Sequence, residues 1–83
     1  MAISTENAAA EIQGWLKDNV TGGREVSPDE PLIENGVMTS LQTVELVAYL
    51  EDTFAIIVED EEFDEENFGS VEAIASLVAS KTA

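Results

Sequence analysis

Only one stretch of this chain, Phe54-Ala55-Ile56-Ile57-Val58, has the β-branched apolar character of a strand, and no second stretch exists to pair with it. A lone strand would leave its backbone groups without a ladder. The stretch therefore reads as the end of a helix plus a buried connection, and the fold class expected is all-α.

The remaining apolar pattern has helical spacing. Ala8, Ile12, Trp15 and Leu16 fall at i, i+4, i+7 and i+8 and predict a helix over about residues 5–17, with Ser4 or Thr5 as its cap. Gly22-Gly23 stop any continuation. Residues 21–38 are rich in Gly, Pro, Asp and Asn and read as one long loop, with Leu32 and Ile33 as its expected anchors to the core. A loop of that length in a small domain is often functional. A second helix is predicted from residue 40 to about 52, opened by a Thr39/Gln42 capping box. Its stripe Thr43, Leu46, Val47, Leu50 and Phe54 is the expected core face. The acidic run at 59–66, interrupted only by Phe63, predicts a short helix pinned by Phe63 and Phe68. Ser70 should cap a last helix in which Val71, Ile74, Ala75 and Val78 share a face. Three main helices and one short one, without internal repeat, make a single domain over residues 1–83.

Composition narrows function. Apolar residues make up 45% of the 83, enough to build a small core rather than leave the chain disordered. No cysteine and no histidine are present, which removes disulfides, thiolate metal sites, a cysteine nucleophile and the commonest general base. The acidic run lacks the glycine and alternating ligands of an EF-hand loop, so no metal site is expected. Neither a secretory signal nor a membrane-spanning run is visible, and a cytoplasmic location is expected. An enzyme is not.

Eighteen acidic residues face three basic ones (Lys17, Arg24, Lys81), for a formal charge of −15. Nucleic acid and anionic membrane surfaces would repel such a chain, a monomer is expected, and protein partners should carry basic patches. Leu41, Val44 and Ala48 lie on the second helix roughly opposite its core stripe, together with Glu45, Glu51 and Asp52. A mixed apolar and acidic face suits docking to a basic partner. The competing reading is that the long loop covers Leu41 and Val44 while the acids are merely solvated.

The stretch Leu32-Ile33-Glu34-Asn35-Gly36-Val37-Met38-Thr39-Ser40-Leu41, continued by Gln42-Thr43-Val44-Glu45-Leu46-Val47, resembles the acyl carrier protein family. That family shows a Gly, a short variable spacer, then Asp-Ser-Leu opening a helix with a Val-Glu-Leu-Val type continuation. Leu50-Glu51-Asp52-Thr53-Phe54, Asp60-Glu61-Glu62 and Phe68-Gly69-Ser70-Val71 are similar to its later segments.

The resemblance implies an acyl-carrier-like four-helix bundle with no catalytic residues of its own. Ser40 would receive 4'-phosphopantetheine from coenzyme A through a phosphopantetheinyl transferase. The arm would hold an acyl intermediate as a thioester, and an aminoacyl or peptidyl cargo is the alternative. The partners implied are that transferase, an acyl- or aminoacyl-loading ligase and downstream synthase enzymes. Thr39, Leu41, Val44, Glu45, Ala48, Glu51 and Asp52 would meet them. Leu32, Leu46, Leu50, Phe68 and Ile74 are candidates to line a cargo cavity. Thr39 stands where the family usually has Asp, and the segment between Asp60 and Val71 is slightly longer than in fatty acid carriers. Both suggest a specialised carrier, for a polyketide, fatty-acyl or other secondary-metabolite pathway. Thr39 also leaves room for an unmodified, carrier-like interaction module.

Overall fold

A computed structural model describes residues 4–82. Helix α1 spans Thr5–Asn19, α2 spans Ser40–Phe54, α3 is the four-residue Glu65–Phe68, and α4 spans Val71–Thr82. A 3-10 turn at Asp60–Glu62 precedes α3, and no strand occurs among the described residues. The all-α expectation holds.

Each helix starts on a side chain that satisfies an N–H the helix itself cannot. Ser4 Oγ accepts from the Asn7 N–H at 3.1 Å, and Ser70 Oγ accepts from the Ala73 N–H at 3.1 Å. At α2 the capping is reciprocal: Thr39 Oγ1 accepts from the Gln42 N–H at 3.2 Å, and Gln42 Oε1 accepts from the Thr39 N–H at 2.9 Å. Helix α2 ends where Ala55 turns left-handed, at φ 55° and ψ 45°.

Packing follows the apolar stripes. Ala8, Ile12 and Leu16 of α1 meet a core built with Leu46 and Leu50 of α2 and Val71, Ile74, Ala75, Leu77 and Val78 of α4. Trp15 sits at the margin of that core, stacked on Tyr49 with ring centroids 5.7 Å apart.

The long loop is tied down at several points. Leu32 is fully buried, its N–H donates to the Gly69 carbonyl at 2.7 Å, and its own carbonyl accepts from Val37 and Met38. The Glu72 N–H donates to the Pro28 carbonyl at 2.9 Å, so the loop also caps the start of α4. At Gly69 a Cβ would run into the Glu65 carbonyl, which is why this junction takes glycine.

Three details depart from expectation. Ile33 is not a core anchor: it is 41% exposed, while Val26 and Met38 supply the burial instead. A continuous helix over 59–66 does not form, because Asp64 accepts from the Asn67 N–H and starts α3 afresh. Within the connection after α2, Ile56 is buried and Val58 half-buried, but Ile57 faces solvent.

Candidate functional site

Ser40 is the first residue of α2 and is exposed. The capping box fixes the turn on which its hydroxyl sits. The N–H groups of Ser40 and Leu41 have no intrahelical acceptor by construction, and no acidic residue lies in the first turn of α2. The result is a hydroxyl on a rigid element, with the positive end of a helix dipole beside it and no carboxylate in that turn to oppose an anion. A phosphodiester fits these residues.

A cleft of about 130 Å³ opens next to Ser40, lined by Ile33, Ser40, Thr43, Phe63, Asp64, Glu65 and Phe68. Of the five residues named for a cargo cavity only Phe68 lines it. Leu32, Leu46, Leu50 and Ile74 have no exposed surface and fill the core. For Leu46, Leu50 and Ile74 that burial follows from the helical stripes, and Leu32 is drawn in by the loop's bond to the Gly69 carbonyl. Ile33 and Phe63 line the cleft instead, and in the sequence only a lone Phe amid seven flanking carboxylates at 59–62 and 64–66 signals this. A second cleft, of about 290 Å³, lies further along α2 between Val44, Val47, Val58, Glu59, Asp60 and Phe63.

The outer face of α2 is uncovered. Leu41 is 70% and Val44 54% exposed, and Glu45, Ala48 and Asp52 are exposed as well, so the loop does not cover them. Glu51 differs: it is half-buried, and its Oε2 accepts from the Val58 N–H at 3.0 Å. All three basic residues are engaged elsewhere, Lys17 with Glu25 at 4.0 Å, Arg24 with Glu30 at 3.3 Å and Lys81 with Glu62 at 2.6 Å. None of them neutralises the α2 face. The ammonium of Lys81, hydrogen-bonded to Glu62, holds that carboxyl below the usual carboxylate range, helped by the Glu59 N–H.

No cluster of His, Cys, Asp or Glu among the described residues has the arrangement of a metal site, and no helix there is long and apolar enough to cross a membrane. An exposed serine on a capped helix start thus sits beside a cleft with mainly apolar walls, with an exposed acidic and apolar helix face behind it. The family profile described as phosphopantetheine attachment site matches residues 10–78. The chain belongs to this family of acyl carrier proteins, whose members bear a 4'-phosphopantetheine group. Such domains are generally carriers, not catalysts, and they deal with phosphopantetheinyl transferases and synthase enzymes.

Proposed function

We propose that Ser40 is the attachment serine and that the protein shuttles an acyl thioester between enzymes without catalysing any step itself. The observation that carries this reading is the placement of an exposed Ser40 at the capped N-terminus of α2, beside an apolar cleft. The Ser40 hydroxyl would attack the β-phosphorus of coenzyme A in the transferase, forming the phosphodiester and releasing adenosine 3',5'-bisphosphate. The arm supplies the thiol that carries the cargo. This chain's residues orient the attachment point and offer shelter: the helix start stabilises the phosphodiester, and Ile33, Phe63 and Phe68 present apolar surface to the cargo.

The apolar lining favours an acyl cargo. An aminoacyl cargo is the second reading, because Asp64 and Glu65 line the same cleft and would attract an ammonium. Partner enzymes, the transferase and a loading ligase among them, would dock basic patches on Thr39, Leu41, Val44, Glu45, Ala48 and Asp52, with Glu51 shaping the face from behind. Thr39 in place of the family's usual Asp supports a specialised polyketide, fatty-acyl or secondary-metabolite pathway over general fatty acid synthesis. The charge of −15 opposes self-association, so the carrier acts as a monomer, in the cytoplasm.

The experiment is fragmentation mass spectrometry after incubation with coenzyme A and a broad-specificity transferase. The added group should map to Ser40. An adduct on any other hydroxyl would overturn the assignment.

A further inference from the structure

Phe63 is the one residue common to both clefts. On one side lie Ser40, Ile33, Thr43 and Phe68, and on the other Val44, Val47 and Val58. Its ring is tilted on Phe68 with centroids 5.6 Å apart, and 42% of the residue remains exposed. A large apolar side chain left so open is not explained by core packing alone. Its N–H and both its neighbours, by contrast, are held. The Phe63 N–H donates to the Asp60 carbonyl at 3.1 Å, Glu62 before it is bound to Lys81 at 2.6 Å, and Asp64 after it caps α3. A fixed backbone with a projecting ring makes a wall between two compartments.

Resting on the carrier reading above, we propose that Phe63 is the specificity-determining residue that limits the cargo sheltered beside Ser40 to a short acyl group. An apolar cavity of about 150 Å³ accommodates a benzene ring, so a cleft of this smaller size shelters an acyl chain of at most about six carbons. A longer chain meets the Phe63 ring before it reaches Val44 and Val47. Without the ring the two compartments become one channel, whose second part is about twice as large as the first.

The test uses the full chain, loaded at Ser40 from coenzyme A analogues bearing butanoyl, hexanoyl, octanoyl and dodecanoyl groups through a stable amide. The thermal midpoint of each is measured against the unacylated holo form, for the native protein, Phe63→Ala and Phe63→Leu. Native protein and Phe63→Leu should gain stability up to hexanoyl and no further. Phe63→Ala should go on gaining through dodecanoyl. If Phe63→Ala loses its helical circular dichroism, Phe63→Val carries the same comparison. Identical chain-length profiles in native and truncated proteins would overturn the wall while leaving the carrier reading intact. A failure to gain mass on loading would overturn both.

Discussion

Gln42 and Thr39 bond each other reciprocally across the first turn of α2, side chain to backbone N–H in both directions, at 2.9 and 3.2 Å. Ser40 lies inside that closed turn, so what holds the helix start also holds the hydroxyl proposed as the attachment point. Thr39→Ala removes one half of the box and should lower stability by about 1 kcal/mol, a fall in Tm of roughly 4–8 °C. Thr39→Asp keeps a capping oxygen and adds a charge favourable at a helix N-terminus. It should hold stability and speed modification by a transferase. Thermal melts and the time course of coenzyme A consumption check both.

The α2 face separates into exposed residues, on which the proposed docking depends, and one that is already hydrogen-bonded. Glu45→Lys with Asp52→Lys should slow association with the transferase several-fold at low ionic strength and leave the helical signal unchanged. The gap should narrow as salt shortens the Debye length to about 3 Å near 1 M. Glu51→Ala should instead lower stability by about 1 kcal/mol, because it strands the Val58 N–H that Glu51 Oε2 now accepts. Binding kinetics across a salt series, with melts of each variant, distinguish the two behaviours.

The Glu62–Lys81 pair should give the fold a pH-dependent component with a definite sign. Glu62 is acidified in the folded state, chiefly by the hydrogen bond from Lys81, so the unfolded chain binds this proton more readily. Its contribution is complete above the ordinary Glu range and disappears as pH falls through the lowered folded value. The background runs the other way, since acid also relieves the repulsion of a chain at −15. The difference in Tm between native protein and Glu62→Gln should therefore be largest at neutral pH and close in acid. A difference that stays constant into the acid range contradicts the assignment.

Tyr49 joins α1 to α2 through two contacts of unlike kind. Its ring stacks on Trp15, and its hydroxyl donates to Glu11 Oε2 at 3.1 Å. Burial, then the bond and charge of Glu11, push the phenol above its ordinary range. A raised value means this component persists below the unfolded pKa and is lost as alkali titrates the folded phenol. Tyr49→Phe should lower stability by at most about 1 kcal/mol and leave Trp15 fluorescence unchanged, while Tyr49→Ala should alter both more strongly. Equilibrium unfolding followed by fluorescence reads the contrast.

Much of this was legible because helical periodicity and capping are local. Ala8, Ile12, Leu46, Leu50, Ile74 and Val78 could be assigned to the core from spacing, and the Thr39/Gln42 box from two residue types three apart. The exposure of Leu41 and Val44 could be read from their place opposite the core stripe, but against the rival reading that the loop covers them, because the choice depends on where a twenty-residue loop lies. That path is set by long-range bonds such as Leu32 N–H to the Gly69 carbonyl, which no local pattern encodes. The same limit explains Ile33 and Phe63. Both looked like anchors by hydrophobicity alone, and both turn out to edge the cleft beside Ser40, an arrangement that requires α2 and the segment before α3 to be placed against each other first. The burial of Leu32, Leu46, Leu50 and Ile74 was readable, but not that the cleft beside Ser40 would reach none of them.

The central claim is that Ser40 carries phosphopantetheine, and intact mass tests it most directly. Native protein, Thr39→Asp and Ser40→Ala are incubated side by side with coenzyme A and a broad-specificity transferase. The account predicts a gain of one phosphopantetheine group in the first two and none in Ser40→Ala. A gain in Ser40→Ala would contradict it by placing the group on another hydroxyl, and no gain in native protein and Thr39→Asp alike would contradict it and leave the acidic face of α2 as the protein's working surface.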